Sequence, residues 1–475
     1  MLGFHRLRQI QRRLAHSPLP YRTTTSSLLR AITPAAITTS FSLHQQHNQR
    51  TFMTTTTGTP TMAASEIQEQ LQQLQLRDEV VEGAAAEEAT ETAAGVAGGS
   101  VDPSGLLTSA SGRPVYPRRI PMPIAVAPMV DVTTSHFLKL CQIISPNFTL
   151  YTEMIHCNAL VYNPKDLFNF FGEPWEGKVV QLGGSELEPM AKAALLVQEN
   201  GYKELNLNVG CPSPRVQKGA FGAVLMKTPQ TVVDIIQEMI KVGVKIPITV
   251  KCRIGVDNLD SYEHLCDFIR LISTTTPVTH FIVHARKCWL KGLSPKQNRS
   301  VPPLKYEVVY QLAKDFPHLT ITINGGFNTT QQIKEQLELV DGIMIGREVM
   351  DRPMFLAKVD AAYHKIPASE LKSTEEIIDE YLEYVLTEHT RGTPHSNAVV
   401  MAPLKMLYGG RRGREYRRRL AATILPKTKP LPDIVRDVRL MLEEMDFNSS
   451  ASEAETEVEL DNEDRESSKV VSGCV

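Results

Sequence analysis

Short apolar runs recur through the middle of the chain, and each has the length of a buried strand. The runs are rich in β-branched residues and span 123–129, 148–154, 178–184, 204–210, 247–253, 280–286, 320–326 and 341–347. Most of the segments between them have apolar residues at helical spacing, as in 188–200 and 229–241. The pattern therefore predicts eight consecutive strand–helix units.

Eight units over about 230 residues are typical of an α/β protein with a (β/α)8 TIM barrel. A doubly wound sheet is the alternative, but no G-x-G-x-x-G motif follows any of the runs. We predict the barrel domain at 118–365. Helical periodicity continues beyond it and predicts a smaller, all-α domain at 370–446.

The two ends of the chain differ from this middle part. Residues 1–65 are rich in Arg, Ser and Thr and have no acidic residue, which is typical of organelle transit peptides. We therefore predict a mitochondrial or chloroplast location, with Met53 and Met62 as alternative starts for a cytoplasmic form; an untargeted tail is the other interpretation. Residues 66–115 predict a disordered linker, and 449–475 predict an acidic disordered tail.

Composition narrows the class of protein further. No stretch approaches 18 uninterrupted apolar residues, so we predict no transmembrane helix and no membrane association. The seven cysteines are scattered and form no CxxC pair, which argues against a zinc site or a disulfide framework. We expect a monomer in a reducing compartment, without bound metal.

Polar side chains gather at the carboxyl ends of the predicted strands, where TIM barrels place their catalytic residues. They are Gln181, Asn208, Cys211, Lys251, Arg253, His284, Arg286, Asn324 and Arg347. The glycines after the last two strands, with Arg347, predict a phosphate site. Lys251 and Gln181 suit the anionic and hydrogen-bonding edges of a flavin, which favours FMN, although spacing alone leaves a sugar phosphate open.

Nine motifs, in chain order, resemble the tRNA-dihydrouridine synthases and, within them, the DusA subfamily. They are APMVD, YTEM, QLGGS, ELNLNVGCPS, VQKGAFGAVLM, VKCRIG, FIVHARKCWLKGLSPKQNR, INGGF and DGIMIGRE. The resemblance implies an NADPH-dependent oxidoreductase of the tRNA-dihydrouridine(20/20a) synthase type, with FMN as its cofactor. Its implied reaction reduces the C5=C6 bond of a D-loop uridine at position 20, 20a or both in tRNA.

The resemblance also implies roles for single residues. Cys211 is the implied proton donor to C5, while the reduced flavin gives hydride to C6; a thiol is far more acidic than a serine hydroxyl and suits this task. The implied FMN contacts are Pro128, Met129, Val130, Gln181, Lys251, His284, Asn324, Gly325, Gly326, Gly346 and Arg347. The implied tRNA contacts are Asn208, Arg299, Arg414 and Arg417.

Two basic segments predict contact with RNA phosphates. One is the basic loop, residues 286–299, which surrounds Trp289 with lysines and arginines; the other has six arginines between 411 and 419. A solvated surface is the alternative for the second segment. Two other functions stay open: a small-molecule FMN reductase of the dihydroorotate dehydrogenase or ene-reductase type, and a non-catalytic tRNA-binding module.

Overall fold

The structure is a computed structural model that describes residues 121–392, 395–425 and 429–445. The predicted transit peptide, linker and acidic tail lie outside these residues, as does Cys474. Within the described ranges, no helix is both long and apolar enough to cross a membrane.

Nine parallel strands of the described chain form one closed sheet. They are β1 (Ile124–Val126), β2 (Thr149–Tyr151), β3 (Ile155–His156), β4 (Lys178–Gly183), β5 (Leu205–Asn208), β6 (Ile248–Arg253), β7 (His280–His284), β8 (Thr320–Asn324) and β9 (Gly342–Ile345). β1 pairs with β9 and with β2, and β2 also pairs with β4, which closes the sheet; β3 pairs with β4 further along the same strand. The predicted TIM barrel with eight strand positions is confirmed.

Helices connect the strands and cover the barrel. They are α1 (Ser135–Ile144), α2 (Cys157–Tyr162), α3 (Leu167–Phe171), α4 (Leu187–Glu199), α5 (Pro214–Lys218), α6 (Pro229–Lys241), α7 (Tyr262–Thr275), α8 (Tyr306–Asp315), α9 (Thr330–Leu337), α10 (Arg347–Asp351) and α11 (Phe355–Val359). In α6, Val232, Ile235, Ile236 and Met239 are buried at helical spacing. Pro229 begins this helix, where its missing N–H leaves no intrahelical bond unmade.

A helical part follows the barrel, as predicted, and comprises α12 (Thr374–Thr390), α13 (Asn397–Val400), α14 (Gly410–Ile424) and α15 (Leu431–Glu444). A reciprocal capping box begins α12: Glu376 N–H donates to Ser373 Oγ (3.2 Å), and Ser373 N–H donates to Glu376 Oε2 (2.7 Å). Tyr384 of α12 hydrogen-bonds His136 of α1 (2.9 Å), which joins this part to the barrel. The domain limits at 365 and 370 stay predictions.

Alternation along the strands separates an apolar face from a polar one. In β5, Leu205 and Leu207 are buried in the apolar layer. Asn206 and Asn208 lie on the opposite face, where both hydrogen-bond Gln181 of β4. Amide side chains therefore line this part of the barrel interior, below the edge at which the strands end.

Candidate active site at the mouth of the barrel

The residues predicted at strand ends share one edge of the barrel, because all the strands run parallel. Asn208 pairs in register with Lys251, and His284 pairs with Asn324. The Lys251 ammonium donates to Asn324 Oδ1 at 3.1 Å, from β6 to β8. We call this edge the barrel mouth.

A chain of hydrogen-bonded amides lies inside the mouth. Asn208 Nδ2 donates to Gln181 Oε1 (2.8 Å), Gln181 Nε2 donates to Asn206 Oδ1 (2.7 Å), and Asn206 Nδ2 donates to Thr249 Oγ1 (2.9 Å). Each amide therefore has a fixed orientation, and the buried polar groups of Gln181 and Asn206 are paired. Gln181 is therefore fixed in orientation, and one of its amide N–H groups and one carbonyl lone pair are not used by these two hydrogen bonds.

Cys211 lies on a tightly held turn, residues 209–213, which we call the cysteine turn. Asn208 Oδ1 accepts from the N–H groups of Gly210 (3.3 Å) and Cys211 (3.0 Å), and Ala223 N–H donates to Cys211 O (3.0 Å). Among the described cysteines, Cys211 is partly exposed and the other five are buried. Gly222, at φ +68°, passes so close that a Cβ there would lie 2.5 Å from Cys211 O. The cysteine predicted as proton donor is therefore both accessible and conformationally restrained.

The two glycines after β8 form a backbone cradle. Gly325 (φ +139°) and Gly326 (φ +80°) adopt conformations that favour glycine. Side-chain carbons at these positions would lie 2.6 and 2.8 Å from Leu304. Tyr306 donates its hydroxyl proton to Gly325 O at 2.5 Å, which fixes the turn. Only backbone atoms therefore lie at these two positions after β8.

The ends of β1 and β9 meet beside this cradle. A Cβ on Gly346 would lie 3.6 Å from Ala127 Cβ and 3.8 Å from the Met129 sulfur. The Met129 amide donates to Thr133 Oγ1 at 2.9 Å, which holds the turn that contains Pro128 and Val130. Arg347 is exposed after Gly346. Of the eleven predicted FMN contacts, Gln181 and Lys251 thus lie within strands near the mouth, and the other nine lie at strand ends or directly after them.

Positive charge dominates the mouth. Burial, followed by Arg253 and Lys251 and then by Arg286 and Arg347, holds the pKa of His284 well below its usual value. Burial, with a smaller contribution from Arg253, lowers the pKa of Lys251 to about 8. His284 is therefore neutral at physiological pH, whereas Lys251 keeps most of its charge.

Arg286 is a member of this cluster that the sequence did not assign to the phosphate site. Its Nη1 donates to the carbonyls of Ser300 (3.4 Å) and Pro302, while its Nε is buried without a hydrogen-bond partner. Burial and the nearby Arg347 lower its pKa. A buried, unpaired donor beside a second guanidinium fits an anionic ligand. The sequence signal that could have assigned Arg286 to the phosphate site is its position two residues after His284, at the end of β7.

The predicted tRNA contacts fall into two groups. Asn208 lies in the mouth, and Arg299 lies exposed at the end of the basic loop. Burial lowers the pKa of Arg253, and Arg299 adds a smaller part of that decrease. Arg414 and Arg417 lie on α14 of the helical part, where Arg414 is exposed and Arg417 donates to Tyr408 O at 2.9 Å. Within the described ranges, no cluster of three or more His, Cys, Asp or Glu side chains could hold a metal ion.

Comparisons with known proteins agree with this geometry. A dihydrouridine synthase (Dus) family model matches residues 125–439. The chain is 46% identical over 269 residues to the tRNA-dihydrouridine(20/20a) synthase of Vibrio parahaemolyticus (57% of this chain, 82% of that protein). It is 43% identical over 310 residues to the protein of the same name in Synechocystis (65% and 91%), and 49% identical over 236 residues to that of Escherichia coli K12 (50% and 68%). The chain belongs to the dihydrouridine synthase family.

Proposed function

We propose that this protein reduces the C5=C6 bond of uridine in tRNA, with FMN as its cofactor and NADPH as its reductant. One observation carries the proposal: a restrained, partly exposed cysteine shares the barrel mouth with a partly buried lysine, a glycine backbone cradle and a cluster of arginines. Family membership and the names of the three relatives support the same reaction.

The residues of the mouth fit FMN. The cradle at Gly325 and Gly326, the unpaired Arg286 Nε and the exposed Arg347 would hold the phosphate. Gln181, whose orientation is fixed by Asn206 and Asn208, would hydrogen-bond the ring system. When bound, the cofactor supplies the hydride that adds to C6 of the uracil.

Two side chains of the protein stabilise the negative charge that develops on the uracil and supply the proton. Lys251 is held by Asn324 and remains mostly protonated at neutral pH, so it can stabilise negative charge in the low-dielectric mouth. The Cys211 thiol delivers a proton to C5, and a positioned general acid contributes roughly 10²–10⁴-fold in rate. Asn208 orients the cysteine turn for this transfer.

The target base must leave its stack to enter the mouth. We propose that Asn208, Arg299, Arg414 and Arg417 contact the tRNA and that the base is a D-loop uridine at position 20, 20a or both; these two positions are those in the names of the relatives. A monomeric, metal-free enzyme is a further part of the proposal. So is an organelle address in residues 1–65, which lie outside the described residues.

The test uses purified protein, NADPH and a tRNA transcript without modified bases, with dihydrouridine measured by mass spectrometry. Cys211→Ala should retain FMN and tRNA affinity but form dihydrouridine at least 100-fold more slowly. Cys266→Ala, which removes a buried thiol of α7, is the matched control and should leave the rate unchanged. An undiminished rate in Cys211→Ala would contradict the proton-donor role, and turnover of free uracil or enones without tRNA turnover would favour a small-molecule reductase.

A further inference from the structure

The side chain of Gln217 bridges the cysteine turn and the basic loop. Gln217 lies on α5, outside both segments, and is partly buried. Its Nε2 donates to Pro212 O (2.8 Å) and to Leu290 O (2.7 Å). A carboxamide has two N–H donors, and here one serves the residue after Cys211 while the other serves the middle of the basic loop.

Arg253 makes a second bridge between the same two segments. Its side chain is buried at the end of β6, with a relative exposure of 4%. Nε donates to Gly210 O (2.8 Å), and Nη1 donates to Lys287 O (3.3 Å) and Asn298 O (3.1 Å). The residue before Cys211 is thereby tied to both ends of the basic loop.

The basic loop itself is internally fixed. Asn298, which is fully buried, accepts from Trp289 N–H (2.8 Å) and donates to Trp289 O (2.9 Å). Leu290 N–H donates to Asp257 Oδ1 at 2.8 Å, and Lys287 pairs with Asp260 at 2.6 Å. A displacement of this loop would therefore also shift Gly210 and Pro212, because the two bridges connect them to it.

We infer that Gln217 and Arg253 are positioning residues, which set the Cys211 thiol relative to the basic loop so that a tRNA seated on that loop meets the thiol in reacting geometry. This inference rests on the proposed function. Small displacements of reacting groups are costly, since a misplacement of about 1 Å can lower a rate about 100-fold. Both bridges consist of side-chain N–H groups that donate to backbone carbonyl oxygens. A variant that replaces such a donor with an acceptor should therefore break the bridge.

Gln217→Glu keeps the side-chain shape but places a carboxylate oxygen against two carbonyl oxygens. With pre-reduced enzyme in single turnover, dihydrouridine formation should fall at least tenfold. Flavin reduction by NADPH and tRNA affinity should stay within twofold of the wild type. Part of the loss should be recovered as the pH falls and the introduced carboxyl protonates, because one O–H donor then returns.

Gln237→Glu is the matched control. The Gln237 amide also donates to a backbone carbonyl, that of Thr275 (3.4 Å), but on the outer helices. Its single-turnover rate should match the wild type. A wild-type rate in Gln217→Glu would overturn the inference, and so would an equal fall in flavin reduction, tRNA affinity and product formation, which indicates general structural damage.

Thiol chemistry separates this inference from the proposed function. With a tRNA that carries an abasic site at the target position, so that no base shields the thiol, the rate at which iodoacetamide alkylates Cys211 should change in the wild-type protein, and Gln217→Glu should lose that response. The same response in both proteins would overturn the inference even if dihydrouridine is formed. If the wild type forms no dihydrouridine, the proposed reaction fails, while the alkylation experiment still tests the link between loop and thiol.

Discussion

Lysines lie at both ends of the barrel, fully buried at one end (Lys178) and partly buried at the other (Lys251), and their surroundings differ. Lys178 begins β4 at the amino end, where its ammonium donates to Glu173 O (2.9 Å) and lies 3.8 Å from the centre of the Trp175 ring. Lys251 lies near the carboxyl end and donates to Asn324 Oδ1. It shares the mouth with Arg286, whose Nε has no partner.

The difference shows which property marks the site. Burial is the largest cause that lowers the pKa of both lysines, so a shifted pKa does not distinguish them. At the amino end, a carbonyl and an aromatic face accommodate the amine. At the mouth, several cations lie together and a buried donor is unpaired. The neighbouring cations and the unpaired donor can accommodate an anion, and this property, rather than burial, indicates a binding site.

The same substitution at both lysines should produce the largest contrast. Lys251→Met should slow dihydrouridine formation about 100-fold, because a fixed charge in the mouth is lost. Lys178→Met should stay within twofold of the wild type, since methionine fills a similar volume in the apolar contact. Product formed per minute by equal amounts of folded protein, checked by circular dichroism, measures this. Equal losses in the two variants would contradict the distinction.

Arg286→Met should have an intermediate effect, confined to the phosphate of the cofactor. FMN affinity should fall about tenfold, as expected from a lost charge-assisted hydrogen bond, while riboflavin affinity stays unchanged because riboflavin has no phosphate. Titration of the apoprotein, followed by quenching of flavin fluorescence, measures both. Arg270→Met, on the exposed face of α7, is the control. If FMN and riboflavin lose affinity equally, Arg286 does not serve the phosphate.

The smallest effect concerns acid stability at the contact between barrel and helical part. Burial, together with His395 and Lys178, lowers the pKa of His136 from 6.5 to about 3. Between these values the unfolded chain binds more protons than the folded one, so stability falls as the pH drops below 6.5, by about 1.4 kcal/mol per pH unit. In His136→Gln, the loss of unfolding free energy from pH 7 to pH 5.5 should be smaller by about 1 kcal/mol. Urea unfolding at both pH values measures this, and an unchanged loss would show that His136 does not contribute.

The barrel and most of the mouth could be predicted from the sequence, because both follow from periodic patterns. A strand of alternating residues fixes which side chains face inward, as Asn206 and Asn208 show, and parallel strands bring their ends together. The residues at strand ends could therefore be grouped by their positions along the chain.

Loop contacts were not predictable in the same way. Gln217 and Leu290 are 73 residues apart and meet through a side chain and a carbonyl, for which no periodic signal exists. Gly222 resembles any loop glycine until its approach to Cys211 is seen. The unpaired donor of Arg286 depends on the fold of residues 300–302, since the sequence alone shows a cation but not its partners.

The contact between α1 and α12 has a consequence for engineering. α1 begins soon after the turn that contains Met129 and Val130. Two more hydrogen bonds join α1 to the helical part: His136 Nε2 with His395 Nδ1 (2.7 Å), and the Lys372 ammonium with Ile143 O (3.1 Å). A chimera that exchanges only the residues after the barrel would separate these partners. Transplanting the helical part between related enzymes should therefore also transplant α1, with crossover points directly before and after α1 as well as after the barrel.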